Sequence, residues 1–68
     1  MAKMTLRAAR INAELTQKAA ANKIGISAKT LGNWEKGTTS PEVSKLGAIC
    51  DTYGVAYNDL IFLPKHSL

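Results

Sequence analysis

Apolar positions recur at spacings of three and four along most of the chain, and residues that start or stop helices separate the runs. Leu6, Ala9 and Ala13 share one face of a helix expected over residues 5–13. Thr16 is a good N-cap for a second helix reaching about Lys23, with Ala20, Ala21 and Ile24 inward. The small alanines let another helix approach closely. Gly25 ends that helix, Ser27 caps a third over residues 28–36 with Leu31 and Trp34 inward, and Gly37 closes it. Ser40-Pro41-Glu42 reads as a further start: serine caps, proline fits the first helical position, and glutamate favours the positive end of the dipole. The fourth helix then reaches about Tyr53, presents Val43, Leu46, Ile49, Cys50 and Tyr53 inward, and is closed by Gly54. Val55 joins the core, a short fifth helix over residues 57–61 carries Leu60, Pro64 stops it, and residues 65–68 form a frayed tail. No stretch alternates with period two long enough to argue for a strand. The expected fold is all-α, a compact five-helix bundle.

Length and composition narrow the function. Sixty-eight residues make one domain, and 46% apolar with 21% charged residues is the balance of a globular chain. A single cysteine excludes an internal disulfide framework, and no Cys/His spacing suits zinc. The longest apolar run falls far short of a membrane span and the N-terminus lacks the apolar block of a signal peptide, so a cytoplasmic location is expected. Charge is divided unevenly: residues 1–40 carry +5 and residues 41–68 carry −1, for a total of +4. A basic half beside a nearly neutral one suggests one face for a polyanion. No nucleophile, base and orienting group fall in a catalytic spacing, and no glycine-rich loop could cradle a phosphate, so no catalytic residue, metal or cofactor is expected.

The segment from Thr16 to Gly37 holds a helix, the tight turn Ile24-Gly25-Ile26-Ser27 and a second helix. Ala20 or Ala21 permits a close crossing, Gly25 makes the turn, and Ile26, Leu31 and Trp34 pin the second helix to the first, leaving its polar face free for a major groove. The ordered set Leu15-Thr16-Gln17, Ile24-Gly25-Ile26-Ser27, Leu31, Trp34-Glu35-Lys36-Gly37 and Pro41 resembles the Cro/C1-type (Xre-like) helix-turn-helix proteins, phage repressors among them. The similarity continues upstream to Leu6-Arg7 and Arg10 and downstream to Leu46, Tyr53-Gly54-Val55 and Asp59-Leu60. It thus covers a domain over residues 4–63, with a helix-turn-helix core at 16–37 and a tail at 64–68.

The resemblance implies a lambda-repressor-like DNA-binding domain, a transcriptional regulator and specifically a repressor. It places Gln17 on a DNA phosphate, where a helix N-terminus offers free N–H groups. It turns Ala28, Lys29 and Asn33 toward base edges: lysine donates to guanine O6 and N7, asparagine pairs with adenine, and alanine meets a thymine methyl. Lys18, Ser27, Thr30, Lys36, Thr38 and Thr39 become contacts to the DNA backbone. Arg10 and Glu35 match positions that form a salt bridge. From the residues alone, Arg10 shares a face with Leu6 and Ala13 and wants a partner, although it could also turn toward phosphate. Departures from the family pattern are Ala20 for a larger aliphatic residue, Lys18 for an acidic one, Ala56 for a capping serine, and Gly32 inside the third helix.

Other residues read more plainly. Trp34 belongs to the core, Cys50 is a buried structural thiol, His66 has no companion ligand, and Gly32 is either a tolerated surface glycine or a point of close approach to backbone. Leu60-Ile61-Phe62-Leu63 is too apolar for one short helix to bury, so Ile61, Phe62 and Leu63 are expected to form a homodimer contact suited to pseudo-palindromic double-stranded DNA. Two alternatives stand beside this: an antitoxin of the same fold whose main partner is a toxin protein, and a protein-interaction module that has lost DNA binding.

Overall fold

The computed structural model describes residues 3–62. Four α-helices follow a short strand: β1 Met4–Thr5, α1 Leu6–Asn12, α2 Gln17–Ile24, α3 Ala28–Lys36 and α4 Val43–Tyr53. A single 3-10 turn over Tyr57–Asp59 then leads into β2, Leu60–Ile61. The first three helices begin as their caps dictate. The hydroxyl oxygens of Thr5, Thr16 and Ser27 accept from the backbone N–H of Ala8, Ala19 and Thr30 at 3.1, 3.0 and 3.0 Å.

Helix ends share one device. Thr38 N–H bonds to the Asn33 carbonyl, Ile26 N–H to Ala21, and Val55 N–H to Cys50, each across a glycine in the left-handed region. At α1 the same bond runs from Leu15 N–H to the Arg10 carbonyl at 3.2 Å, but the residue between is Glu14, at φ 62°. Gly25, at φ 92°, makes the turn between α2 and α3 without a Cβ clash.

The core is small: Leu6, Ala9, Ala20, Ala21, Ile24, Leu31, Trp34, Ile49, Tyr53 and Leu60 are buried. Ala20 and Ala21 are almost wholly enclosed, as the close packing of α2 against α3 and α4 requires. Leu15, Ile26, Leu46 and Val55 pack on its margin.

Several expectations are corrected. Helix α4 begins at Val43, with Glu42 as an extended cap residue making no side-chain cap bond, so Ser40 and Pro41 are not its cap and first residue. The first turn of α4 projects beyond the core: Val43 is 84% exposed rather than inward, so no burial extends the helix back to Pro41. The fifth helix is reduced to one 3-10 turn over Tyr57–Asp59. Its first turn forms, with the Asp59 carboxylate accepting from Ala56 N–H at 3.1 Å, but Leu60 is extended because it pairs in parallel with Met4, as Ile61 does with Thr5. A strand therefore replaces the rest of the helix, and its alternation sorts the apolar run: Leu60 buried, Ile61 exposed, Phe62 half-buried against the core. Cys50 is half-buried rather than buried, and burial raises its thiol pKa, with Asp51 and Asp59 adding to the rise. Leu63 and His66 lie outside the described residues.

Candidate nucleic-acid interface

Helix α3 divides cleanly. Leu31, Trp34 and Glu35 point inward, while Ala28, Lys29 and Lys36 are exposed and Gly32 and Asn33 half-exposed. The inward set fixes the rotation of the helix, and the outward set follows from it at i, i+4 and i+8. Gln17, the first residue of α2, lies across from this outward face. Together Gln17, Ala28, Lys29, Gly32, Asn33 and Lys36 line one shallow groove. Its only charged side chains are lysines, so a polyanion laid there meets no carboxylate on the groove wall.

The remaining residues expected at the interface are not part of this groove's lining. Lys18 lines the adjoining cleft with Thr16, Asn22, Ile26 and Ala28. Ser27 and Thr30 lie at the start of α3, where the Ser27 hydroxyl donates to Thr30 Oγ1 at 2.9 Å. The Ser27 proton is thereby used, and Thr30 keeps its own O–H for an outside acceptor. Thr38 and Thr39 are exposed in the loop past Gly37.

Behind the groove stands a polar network. Arg10 Nε donates to Glu35 Oε2 at 2.7 Å and Arg10 Nη2 to Oε1 at 3.3 Å, joining α1 to the end of α3. Arg10 Nη1 donates to the Leu15 carbonyl at 2.9 Å, so the guanidinium faces inward and is not turned toward the solvent face. Both residues are buried, and the hydrogen bond to Glu35 raises the Arg10 pKa. Gln17 Nε2 donates to Glu35 Oε1 at 3.0 Å. A Cβ built on Gly32 would lie 3.7 and 3.8 Å from the two polar atoms of the Gln17 amide, which therefore lies close over that glycine. Sequence reasoning gave neither the Gln17–Glu35 bond nor the role of Gly32. The only signal available was a lone acid in α3, eighteen residues from Gln17.

Tyr53 adds a buried group to this neighbourhood. Its hydroxyl has no hydrogen-bond partner among the described residues. Burial pushes its phenol up to about 12, with the charge of Glu35 adding to the rise and that of Arg10 opposing it.

Two helices joined by a glycine turn, the second presenting a basic polar face, are the features of a helix-turn-helix DNA-binding domain. The helix-turn-helix family model matches residues 6–60, and the chain belongs to the Cro/C1-type helix-turn-helix family. That family is one of DNA-binding transcription regulators, and this is the general function of the chain. A search of curated proteins found no significant match. Among the described residues no helix is long and apolar enough to cross a membrane.

Proposed function

We propose that the protein is a sequence-specific repressor that reads the major groove of double-stranded operator DNA with α3. The observation that carries this reading is the groove in which Gln17, Ala28, Lys29, Asn33 and Lys36 meet on one carboxylate-free surface. Lys29, Asn33 and Ala28 face base edges. Gln17, Lys18, Thr30, Lys36, Thr38 and Thr39 hold the sugar-phosphate backbone, and Ser27, whose hydroxyl is engaged by Thr30, contributes through its backbone. Phosphate neutralisation supplies most of the affinity, so binding falls steeply with salt. The protein binds as a homodimer through the exposed side of β2, at Ile61 with Phe62 beside it, and Leu63 continues that run outside the described residues.

Lys29→Ala tests the assignment of base contacts. Binding to operator and to random duplex DNA is compared across a salt series. The substitution is expected to cost about 1–3 kcal/mol on operator DNA and to relax specificity at one or two base pairs. Equal losses on operator and random DNA would instead make Lys29 a phosphate contact.

A further inference from the structure

Glu35 is a buried carboxylate whose two oxygens, among the described residues, take their hydrogen bonds from Arg10 and Gln17. As an acceptor-only group it fixes which way the Gln17 amide points: the nitrogen must face Glu35. One N–H is held there, leaving the second N–H and the carbonyl oxygen to the groove. Below lies Gly32, where an added Cβ would already be in van der Waals contact with the amide. Arg10 holds Glu35 in turn, fixed at its other end by the Leu15 carbonyl. Leu15 stands two residues before Gln17, so the chain from Arg10 through Glu35 returns to the start of α2.

From this geometry we infer that Glu35 is a positioning residue for DNA binding. It orders the Gln17 amide over Gly32 before DNA arrives, so that the free N–H meets a phosphate without first losing side-chain freedom. The inference rests on the reading of Gln17 as a phosphate contact. Electrostatics alone demands the opposite effect of Glu35, because a negative charge beside a DNA face repels the polyanion and its removal strengthens binding.

The opposed signs make a double-substitution cycle decisive. The full chain, Gln17→Ala, Glu35→Gln and the double variant are titrated with a labelled random-sequence duplex at low salt, with folding of each confirmed by circular dichroism. Gln17→Ala is expected to weaken binding about three- to tenfold, the value of one hydrogen bond. Glu35→Gln weakens it by a similar factor, and in the Gln17→Ala background the same change produces no further loss. Binding by Glu35→Gln as tight as that of the parent chain, or an equal loss in both backgrounds, overturns the positioning role. Unchanged binding by Gln17→Ala overturns the phosphate contact and the positioning role together.

A measurement on the unaltered protein covers the case in which Glu35→Gln does not fold. Gln17 is the only glutamine in the chain, so its side-chain amide can be followed by itself. Nitrogen relaxation without DNA is expected to give an order parameter near that of rigid backbone, about 0.85, and a value below about 0.6 overturns the inference.

Discussion

Tyr53 shows how one side chain can serve the core and still leave a chemical debt. Its ring is buried beside the Arg10–Glu35 pair, yet its hydroxyl is unpartnered among the described residues, and a buried unsatisfied hydroxyl is destabilising. Tyr53→Phe keeps the ring and removes the orphan, so it is expected to leave stability unchanged or raise it by up to about 1 kcal/mol, measured by urea unfolding near neutral pH. The pH dependence has a definite sign. The folded-state pKa, about 12, stands above the ordinary tyrosine value of 10.0, so the folded chain keeps a proton that the unfolded chain loses. The resulting stabilisation is complete below pH 10 and disappears as pH rises through about 12. The parent protein should therefore lose stability across that window more steeply than Tyr53→Phe. Parallel curves would show that Tyr53 does not titrate in this way.

At the scale of the element, Glu14 is the exception among four similar helix ends. Gly25, Gly37 and Gly54 take the left-handed residue after α2, α3 and α4, while Glu14 takes it after α1 with φ 62°. An L-residue with a long side chain is strained there, and glycine is not. Glu14→Gly is accordingly expected to raise stability by about 0.5 kcal/mol and Glu14→Val to lower it by about 1 kcal/mol or more, read from thermal unfolding.

The same residue marks where the sequence stops being legible. Helices bounded by Thr16, Ser27 and the three glycines could be read because cap and stop are local signals of fixed chemistry. The end of α1 carries no such signal, and Glu14 is held left-handed by its own N–H on the Ile11 carbonyl and by the Leu15 N–H on the Arg10 carbonyl, bonds that only the formed helix provides. The truncation of the fifth helix by β2 was hidden for another reason. A two-residue strand has no detectable period, and its partner Met4 lies at the far end of the chain. In the interface, the outward face of α3 was legible because Leu31 and Trp34 set its rotation. The bond from Gln17 to Glu35 was not, since no local spacing brings those two residues together.

For the molecule as a whole, the groove lysines lie on α3, while exposed apolar side chains are spread over α1, α4, the 3-10 turn and β2, at Ile11, Val43, Tyr57 and Ile61. The uneven +5 and −1 of the two halves leaves Lys29 and Lys36 on the α3 groove, while Arg10 is turned inward onto Glu35. Ile61 stands 43% exposed on β2, whereas Phe62 packs partly on the core and stacks near Tyr57 at 5.7 Å between ring centroids. The proposed dimer contact thus rests chiefly on Ile61. Ile61→Ser is expected to leave the fold intact and to weaken binding to a two-half-site duplex while sparing a single half-site, as gel shift would report. Equal affinities of parent and variant on both duplexes would remove Ile61 from the interface.

The central claim is that α3 reads base sequence as one of two symmetric copies. Selection of bound duplexes from a random pool tests it most directly. The account predicts enrichment of one consensus made of two inverted half-sites about one helical turn, roughly 10 base pairs, apart, with Lys29→Ala degrading the same position in each half. A pool that emerges with no sequence enriched over the input would contradict it.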